Sequence, residues 1–273
     1  MIKFFIRIDI HCIFAHMKRN SGLYTYMNKI FFFIASLLIL ASCSTGYRIE
    51  GSSSLLRLDG KMLFVKVPQG NQMIKIDSAE VIHGLFSMEG AIDSVMIASL
   101  YMDDESIMPF VIEDGQIQIK IDNAYISVSG TPLNDRLYTF VKDKGVLEDR
   151  AYELERMESR MIMDGKTQEE IASELNKQRE QLSDELDELA KKFIQSNYDN
   201  VLGPGVFIML CNAFPYPVLT PVIEEIVNGA PDTFKNNRMV KGYMEAAREN
   251  MEKLQTSMYS VPKKSLLLCF CCF

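Results

Sequence analysis

Six cysteines carry most of the reactive chemistry available to this 273-residue chain. Cys269 and Cys272, in the last five residues, have the C-x-x-C spacing of thiol–disulfide exchange. A working motif of this kind needs its first cysteine at a helix N-terminus, where the helix dipole lowers the pKa of the thiol. Here the sequence stops one residue after Cys272, so we expect no redox function from the tail. The apolar segment 265–273 is typical of a frameshifted or truncated end.

Cys43 is the cysteine whose surroundings predict a modification. Residues 30–41 form an apolar run of twelve, which is the length of a signal-peptide hydrophobic region and too short for a membrane span of about 20 residues. Met27 and Lys29 supply a start residue and a positive flank, and Leu40-Ala41-Ser42-Cys43 follows the run. This tetrad resembles the bacterial lipobox, which implies cleavage before Cys43 and lipidation of its thiol. We therefore expect a membrane attachment through the lipid.

The first 26 residues do not fit that signal, because a signal peptide normally begins at its own methionine. One interpretation is that translation starts at Met27 and that residues 1–26 are a mis-assigned upstream start. The alternative is an unusually long positive region before the apolar run.

No catalytic, cofactor-binding or metal-binding residue is predicted. Ser78, His83 and Asp77 could be drawn as a triad, but nothing in the sequence requires them to converge, and His83 reads as a surface turn residue beside Gly84. The acidic run 103–105 lacks the spaced ligands of a calcium loop and predicts a solvated hairpin tip. Cys211 lies in an apolar segment and reads as a buried, inert thiol. The net charge of −7, without a Lys/Arg-rich run, argues against nucleic acid as a partner.

The pattern between residues 47 and 130 predicts strands. Ile117, Ile119 and Ile121 alternate with polar residues, and Asp114-Gly115 before them is a strong hairpin dipeptide. Further short runs recur about every ten residues, between Gly, Asp and Asn turns, at 47–50, 62–67, 74–81, 85–89, 95–101, 110–112 and 125–129. An antiparallel β-sandwich or barrel is therefore expected.

From residue 131 the apolar period changes to that of helices. Thr131-Pro132 predicts a helix start with Thr131 as N-cap, and a second helix is expected from Leu147 to Met161. Thr167 to Glu170 forms a capping box that opens a long amphipathic helix, which packs either within the chain or as a coiled coil. Later helices are expected at 206–211, 221–227 and 239–254.

Several motifs, in this order, resemble a family of Bacteroides-type lipoproteins. They are Tyr47-x-Ile49-x-Gly51, Asp59-Gly60-Lys61, Ile76-Asp77-Ser78 with Val81, Gly84-x-Phe86-x-Met88-x-Gly90, Phe110-x-Ile112-Glu113-x-Gly115-x-Ile117, Ser129-Gly130-Thr131-Pro132-Leu133-Asn134-Asp135 and Asn200-Val201-Leu202-Gly203. In that family a β domain of unknown function (the 4369 type) precedes a helical segment and a thioredoxin-like domain of the TlpA/AhpC kind. The likeness covers about 47–255. A thioredoxin-like domain needs about 100–150 further residues and a Trp-Cys-x-x-Cys motif, and this chain has neither.

The expected fold is α+β, with an antiparallel β-sandwich- or barrel-like part followed by an all-helical region. The expected segments are a mis-assigned start (1–26), a lipoprotein signal (27–42), the β domain (43–130), the helical domain (131–257) and an irregular tail (258–273). The expected function is that of a non-enzymatic docking or spacer module, truncated from a thioredoxin-like lipoprotein, with an envelope protein as partner. It would be anchored in the cell envelope, at the outer membrane facing the periplasm. A remnant or subunit of a thiol–disulfide oxidoreductase and a ligand-binding lipoprotein are the alternatives.

Overall fold

The computed structural model describes residues 46–70, 72–123 and 125–256. They form one compact unit in which eight strands, with a short 3-10 helix (Leu56–Leu58) after the first of them, precede six α-helices, so the predicted α+β class is confirmed. The strands are β1 (Gly46–Ser53), β2 (Met62–Gln69), β3 (Gln72–Glu80), β4 (Leu85–Ala91), β5 (Met96–Met102), β6 (Glu105–Ile112), β7 (Gly115–Ile121) and β8 (Ile126–Ser129).

The strands form two four-stranded sheets that enclose a shared apolar core. Sheet A has the order β4-β1-β7-β8 and sheet B the order β3-β2-β5-β6. Alternation drives the packing, since Ile117, Ile119 and Ile121 of β7 are buried while the polar residues between them face solvent. All neighbouring strands are antiparallel except β1 and β7, which run parallel, contrary to the expectation of a purely antiparallel fold.

The predicted hairpin at Asp114-Gly115 is wrong, because β6 belongs to sheet B and β7 to sheet A. The dipeptide is instead a corner that carries the chain from one sheet to the other. Gly115 has a φ of +119°, which only glycine adopts readily, and Asp114 Oδ1 accepts a hydrogen bond from the Gly46 amide at 2.7 Å. The chain enters sheet A beside β1 and in the same direction, which explains the parallel pairing.

Aromatic rings lie over glycines where β1 pairs with β4. Tyr47 stands opposite Gly90, and Phe86 stands opposite Gly51. A Cβ on Gly51 would lie 2.0 Å from Phe86 Cζ, and one on Gly90 would lie 2.8 Å from Tyr47 Oη, so both positions need the absence of a side chain. The Tyr47 hydroxyl donates to Asp77 Oδ2 at 2.8 Å and so links sheet A to β3 of sheet B. The spacing of these sequence motifs is therefore a packing requirement.

The helices are α1 (Pro132–Met163), α2 (Gln168–Gln195), α3 (Leu202–Asn212), α4 (Pro221–Asn228), α5 (Asp232–Lys235) and α6 (Arg238–Thr256). The prediction of two helices before residue 164 is wrong, because α1 runs without a break through Gly145. A glycine inside a helix costs only about 1 kcal/mol relative to alanine. The buried stripe continues past it from Phe140 through Lys144 to Ala151, and its packing holds the helix together.

Helix α2 packs within the chain against α1. Its capping box is confirmed, since Thr167 Oγ1 accepts from the Glu170 amide and Glu170 accepts from the Thr167 amide. Ile171, Leu175 and Leu182 share a buried cluster with residues of α1. Arg150 of α1 also forms an ion pair with Glu185 of α2. The intramolecular alternative is thus the one that the structure adopts.

Helix α3 packs closely on the sandwich and on the preceding turn. A Cβ on Gly205 would lie 1.8 Å from Ile97 Cδ1 of β5, and one on Gly203 would lie 2.3 Å from the Asn197 carbonyl oxygen. Val111 of β6 joins the same buried cluster as the core of the helical region. The sandwich and the helices therefore share a tight interface.

Candidate functional site

Strand β6 is joined to α1 by buried polar groups, with Asn134 at their centre. Asn134 Oδ1 accepts from the Val111 amide at 2.8 Å, and its Nδ2 donates to the Val111 carbonyl at 2.8 Å and to Thr131 Oγ1 at 2.8 Å. Its amide thus occupies the place that a neighbouring strand would take along β6. Because every group is buried and paired, this contact fixes the start of α1 on the sheet.

Glu113 caps the N-terminus of α1. Its Oε1 accepts from the Leu133 amide at 2.8 Å and from the Asn134 amide at 3.1 Å. Thr131 occupies the predicted N-cap position, but its side chain accepts no amide of the helix, because its hydroxyl accepts from Asn134 instead. A carboxylate at this end of a helix is also favoured by the helix dipole.

The free edge of β6 is covered further along by Tyr138 of α1. Its hydroxyl donates to the Pro109 carbonyl at 3.0 Å, and Pro109 has no amide hydrogen to offer. Burial raises the pKa of the Tyr138 hydroxyl well above its usual value, so the group remains a donor. Pro109 and Val111 therefore offer no unpaired backbone on this edge to an incoming strand.

An open cleft of about 930 Å³ lies where β6 and β8 face α1, and it is named the α1 cleft. Its volume falls in the range of small-molecule sites, about 300–1,000 Å³. Its walls include Ile107–Pro109 of β6 and Ile126–Ser127 of β8. Buried apolar residues line its inner part, namely Leu137, Phe140, Ala190, Val206 and Leu210.

Lys144 is the most deeply buried charged group in the α1 cleft, with 7% of its surface exposed. Its ammonium forms an ion pair with Glu148, one helical turn later, whose side chain is 24% exposed. Asp149 and Lys142 also line the cleft but are exposed, and Asp122 is half-buried. The cleft therefore has a cationic group inside and acidic groups nearer to solvent.

Three large side chains at the cleft remain exposed to solvent. Tyr125, Val146 and Tyr152 are exposed by 60%, 56% and 49%. Tyrosine is common at binding surfaces, because it offers a large apolar ring together with a hydroxyl. An occupant of the cleft would cover these side chains.

The structure does not assemble the triad that could be drawn from the sequence. Asp77 accepts from the Tyr47 hydroxyl at 2.8 Å and from the Ser78 amide at 2.7 Å, so both carboxylate oxygens are engaged. His83 is exposed in the turn before β4 and has a φ of +53°. It is a surface turn residue, as predicted.

The acidic run 103–105 lies at the turn between β5 and β6, and Asp103 and Asp104 are exposed there. Asp103 has a φ of +54°, and Asp104 lies 4.0 Å from the ammonium of Lys66. The predicted hairpin tip is confirmed. Within the described ranges no three His, Cys, Asp or Glu side chains are grouped so that they could hold a metal ion.

Cys211 is a buried thiol in α3, as predicted. Burial raises the pKa of the thiol far above its usual value, and a hydrogen bond with Tyr243 only partly opposes this shift. A thiol in this state is a poor nucleophile. Cys43 and the cysteines of the tail lie outside the described residues. Among the helices that the structure describes, none is both long and apolar enough to cross a membrane.

Three residues of this site were not anticipated from the sequence. Lys144 is seven residues from both Leu137 and Ala151, so its position in the apolar stripe was a readable signal of a buried lysine. Glu113 and Asn134 gave no such signal, because their partners lie about twenty residues away in the chain.

No curated protein matches this sequence. Two solved structures share part of its shape, namely the solution structures of CBM25-1 and CBM25-2 of a β/α-amylase from Paenibacillus polymyxa. They are 15% and 13% identical, and each alignment covers 32% of this chain and 94% of the solved one at a TM-score of 0.22, which supports no inference. Residues 47–137, from β1 to the second turn of α1, match the model of a domain of unknown function, DUF4369.

Proposed function

We propose that this chain is a lipid-anchored protein of the cell envelope whose folded part is a non-enzymatic binding module. Acylated Cys43 would hold it at the outer membrane, facing the periplasm. The module would dock a partner or ligand at the α1 cleft, as the front part of a thioredoxin-like lipoprotein. This role extends the docking function expected from the sequence by assigning it a place on the molecule.

The observation that carries the binding role is the α1 cleft itself. Its inner part is apolar, and five charged groups line the cleft, four of them on α1 and Asp122 between β7 and β8. This combination is typical of ligand-binding sites, where apolar area supplies affinity and a few polar groups supply orientation. The bonds of Asn134 and Glu113 hold α1 on the sheet, so the cleft is present before any ligand arrives.

The described residues give no support to the oxidoreductase alternative. Catalytic thiol exchange needs a thiolate of lowered pKa and a resolving thiol held beside it. Cys211 has a raised pKa and is the one cysteine in the described part of the chain. The chain from residue 43 onward should therefore reduce insulin disulfides no faster than a free-thiol control. Turnover that survives deletion of 257–273 in a chain whose Cys43 is acylated or replaced by Ala would refute this proposal, because Cys211 would then have to react.

The anchor is tested by expressing the full chain and Cys43→Ala in a bacterium with an outer membrane. A clickable palmitate analogue should label the full chain and leave the variant unlabelled. Fractionation should place the full chain in the outer membrane and displace the variant. An unmodified Cys43 in membrane-extracted protein, found by mass spectrometry, would refute the anchor.

The binding role is tested by placing a photo-crosslinking residue at the mouth of the cleft. The crosslinker at Val146 should form a defined adduct in cells, because this exposed side chain lies beside the cavity. Ile82 is the control position, since it is 58% exposed, close to the 56% of Val146, and lies outside the α1 cleft. Equal crosslinking at both positions, or none at Val146, would count against a docking site at the cleft.

A further inference from the structure

Stability alone does not explain why Lys144 lies on the wall of the α1 cleft. Burial of an ion pair costs desolvation energy, and apolar residues in its place are often as stable or more so. The same stripe is apolar one turn before Lys144, at Phe140, and two turns after it, at Ala151. Lys144 interrupts the apolar stripe at the point where α1 borders a cavity, and a polar group in that place can orient a ligand.

The distribution of charge indicates the sign of that ligand. The deepest charged group is the Lys144 ammonium, whereas its partner Glu148 is more exposed and Asp149 lies at the surface. A ligand whose apolar chain fills the inner cleft would have its polar end beside these charged groups. A cationic end would meet Lys144 at depth, and a neutral end would leave the ion pair unchanged. An anionic end can replace Glu148, whose side chain needs only a rotation towards solvent.

We propose that the α1 cleft binds an amphiphile with an apolar chain and a carboxylate head, with Lys144 as the ligand of that carboxylate. The inference rests on the proposed use of the cleft as a binding site and names the class of ligand. The buried side chains Leu137, Phe140 and Leu210 contact the apolar chain. Glu148 competes with the ligand for the same ammonium.

The experiment uses residues 45–273, which contain all the described strands and helices, with a dansylated undecanoate as fluorescent probe. Dodecanoate and dodecanol are then added as competitors, the acid below its micelle-forming concentration and the alcohol below its solubility limit. The wild type should prefer dodecanoate by about tenfold, the value of one charge-assisted hydrogen bond. Lys144→Met should abolish this preference but should still bind dodecanol. Lys177→Met is the matched control, because Lys177 is exposed on α2 and lies outside the cleft, and the preference of this variant should stay unchanged.

Glu148→Gln gives the opposite and decisive readout. Removal of the competing carboxylate should raise the affinity for dodecanoate and leave the affinity for dodecanol unchanged. Damage to the fold would not produce such a gain. This variant also decides the matter if Lys144→Met fails to fold.

The outcomes separate the two proposals. Equal affinity for acid and alcohol in the wild type, or a preference for dodecylammonium, would overturn the carboxylate ligand and leave the cleft as a binding site. Failure of the probe to bind would overturn the amphiphile, while the crosslinking at Val146 would still test the docking role.

Discussion

The contact between Asn134 and Val111 offers a direct test of how the helical region is held on the sandwich. Asn134→Leu keeps the number and branching of the side-chain heavy atoms but removes both hydrogen bonds to Val111. Val111 is fully buried, so water cannot replace the lost partners. Each orphaned buried group costs about 1–3 kcal/mol, and two such groups predict a loss of about 2–6 kcal/mol in the free energy of unfolding. That is a large share of the roughly 5–15 kcal/mol of a typical domain.

Urea denaturation followed by circular dichroism measures this loss, with Asn228→Leu as the control. Asn228 is exposed at the end of α4, so its replacement should change the free energy of unfolding by at most about 0.5 kcal/mol. Asn134→Asp supplies a second readout, because a protonated carboxyl can donate to the Val111 carbonyl and a carboxylate cannot. The loss in the free energy of unfolding caused by Asn134→Asp should therefore become smaller as the pH falls. If Asn134→Leu costs no more than Asn228→Leu, the contact does not hold the two parts together.

Three further predictions concern the helical region. Burial and neighbouring carboxylates raise the pKa of Asp187 to about 6, so the folded state holds this proton more tightly than the unfolded state. In urea titrations, the stability of the wild type relative to Asp187→Asn should thus fall by about 1–2 kcal/mol from about pH 4 to about pH 6, given the partial exposure of the group. Gly203→Ala should cost about 1–3 kcal/mol in thermal unfolding because its Cβ would meet the Asn197 carbonyl, whereas Gly205→Ala meets only the end of a side chain and should cost less. Iodoacetamide should modify Cys211 only as fast as the protein unfolds, which peptide mass spectrometry can follow.

Local patterns in the sequence predict the elements well. The alternation of Ile117, Ile119 and Ile121 predicts a strand, because one face of β7 is buried. The residues of the Thr167 capping box likewise predict the start of α2, since all the partners lie within one turn. In both cases the interactions that decide the structure join residues close in the chain.

Features that depend on distant partners are not readable in this way. The parallel pairing of β1 with β7 depends on where the chain crosses between sheets. The dipeptide Asp114-Gly115 suits a hairpin turn and a corner between sheets equally well, so it does not reveal this crossing. The cap of α1 comes from Glu113, which follows β6 and is twenty residues before Leu133, although Thr131 has the local sequence of a cap. The α1 cleft arises only when β6, β8 and α1 are brought together, so no single segment encodes it.

The continuity of α1 has a consequence for how this type of chain can change in length. The matched domain ends at Leu137, and the same helix continues to Met163. One residue inserted after Leu137 would rotate everything downstream by about 100° about the helix axis and advance it by about 1.5 Å. Seven inserted residues would restore the rotational phase to within about 20°. Insertions and deletions between the β domain and the helical region are therefore expected to accumulate in multiples of near-complete turns. In this way α1 fixes the rotation of one part relative to the other.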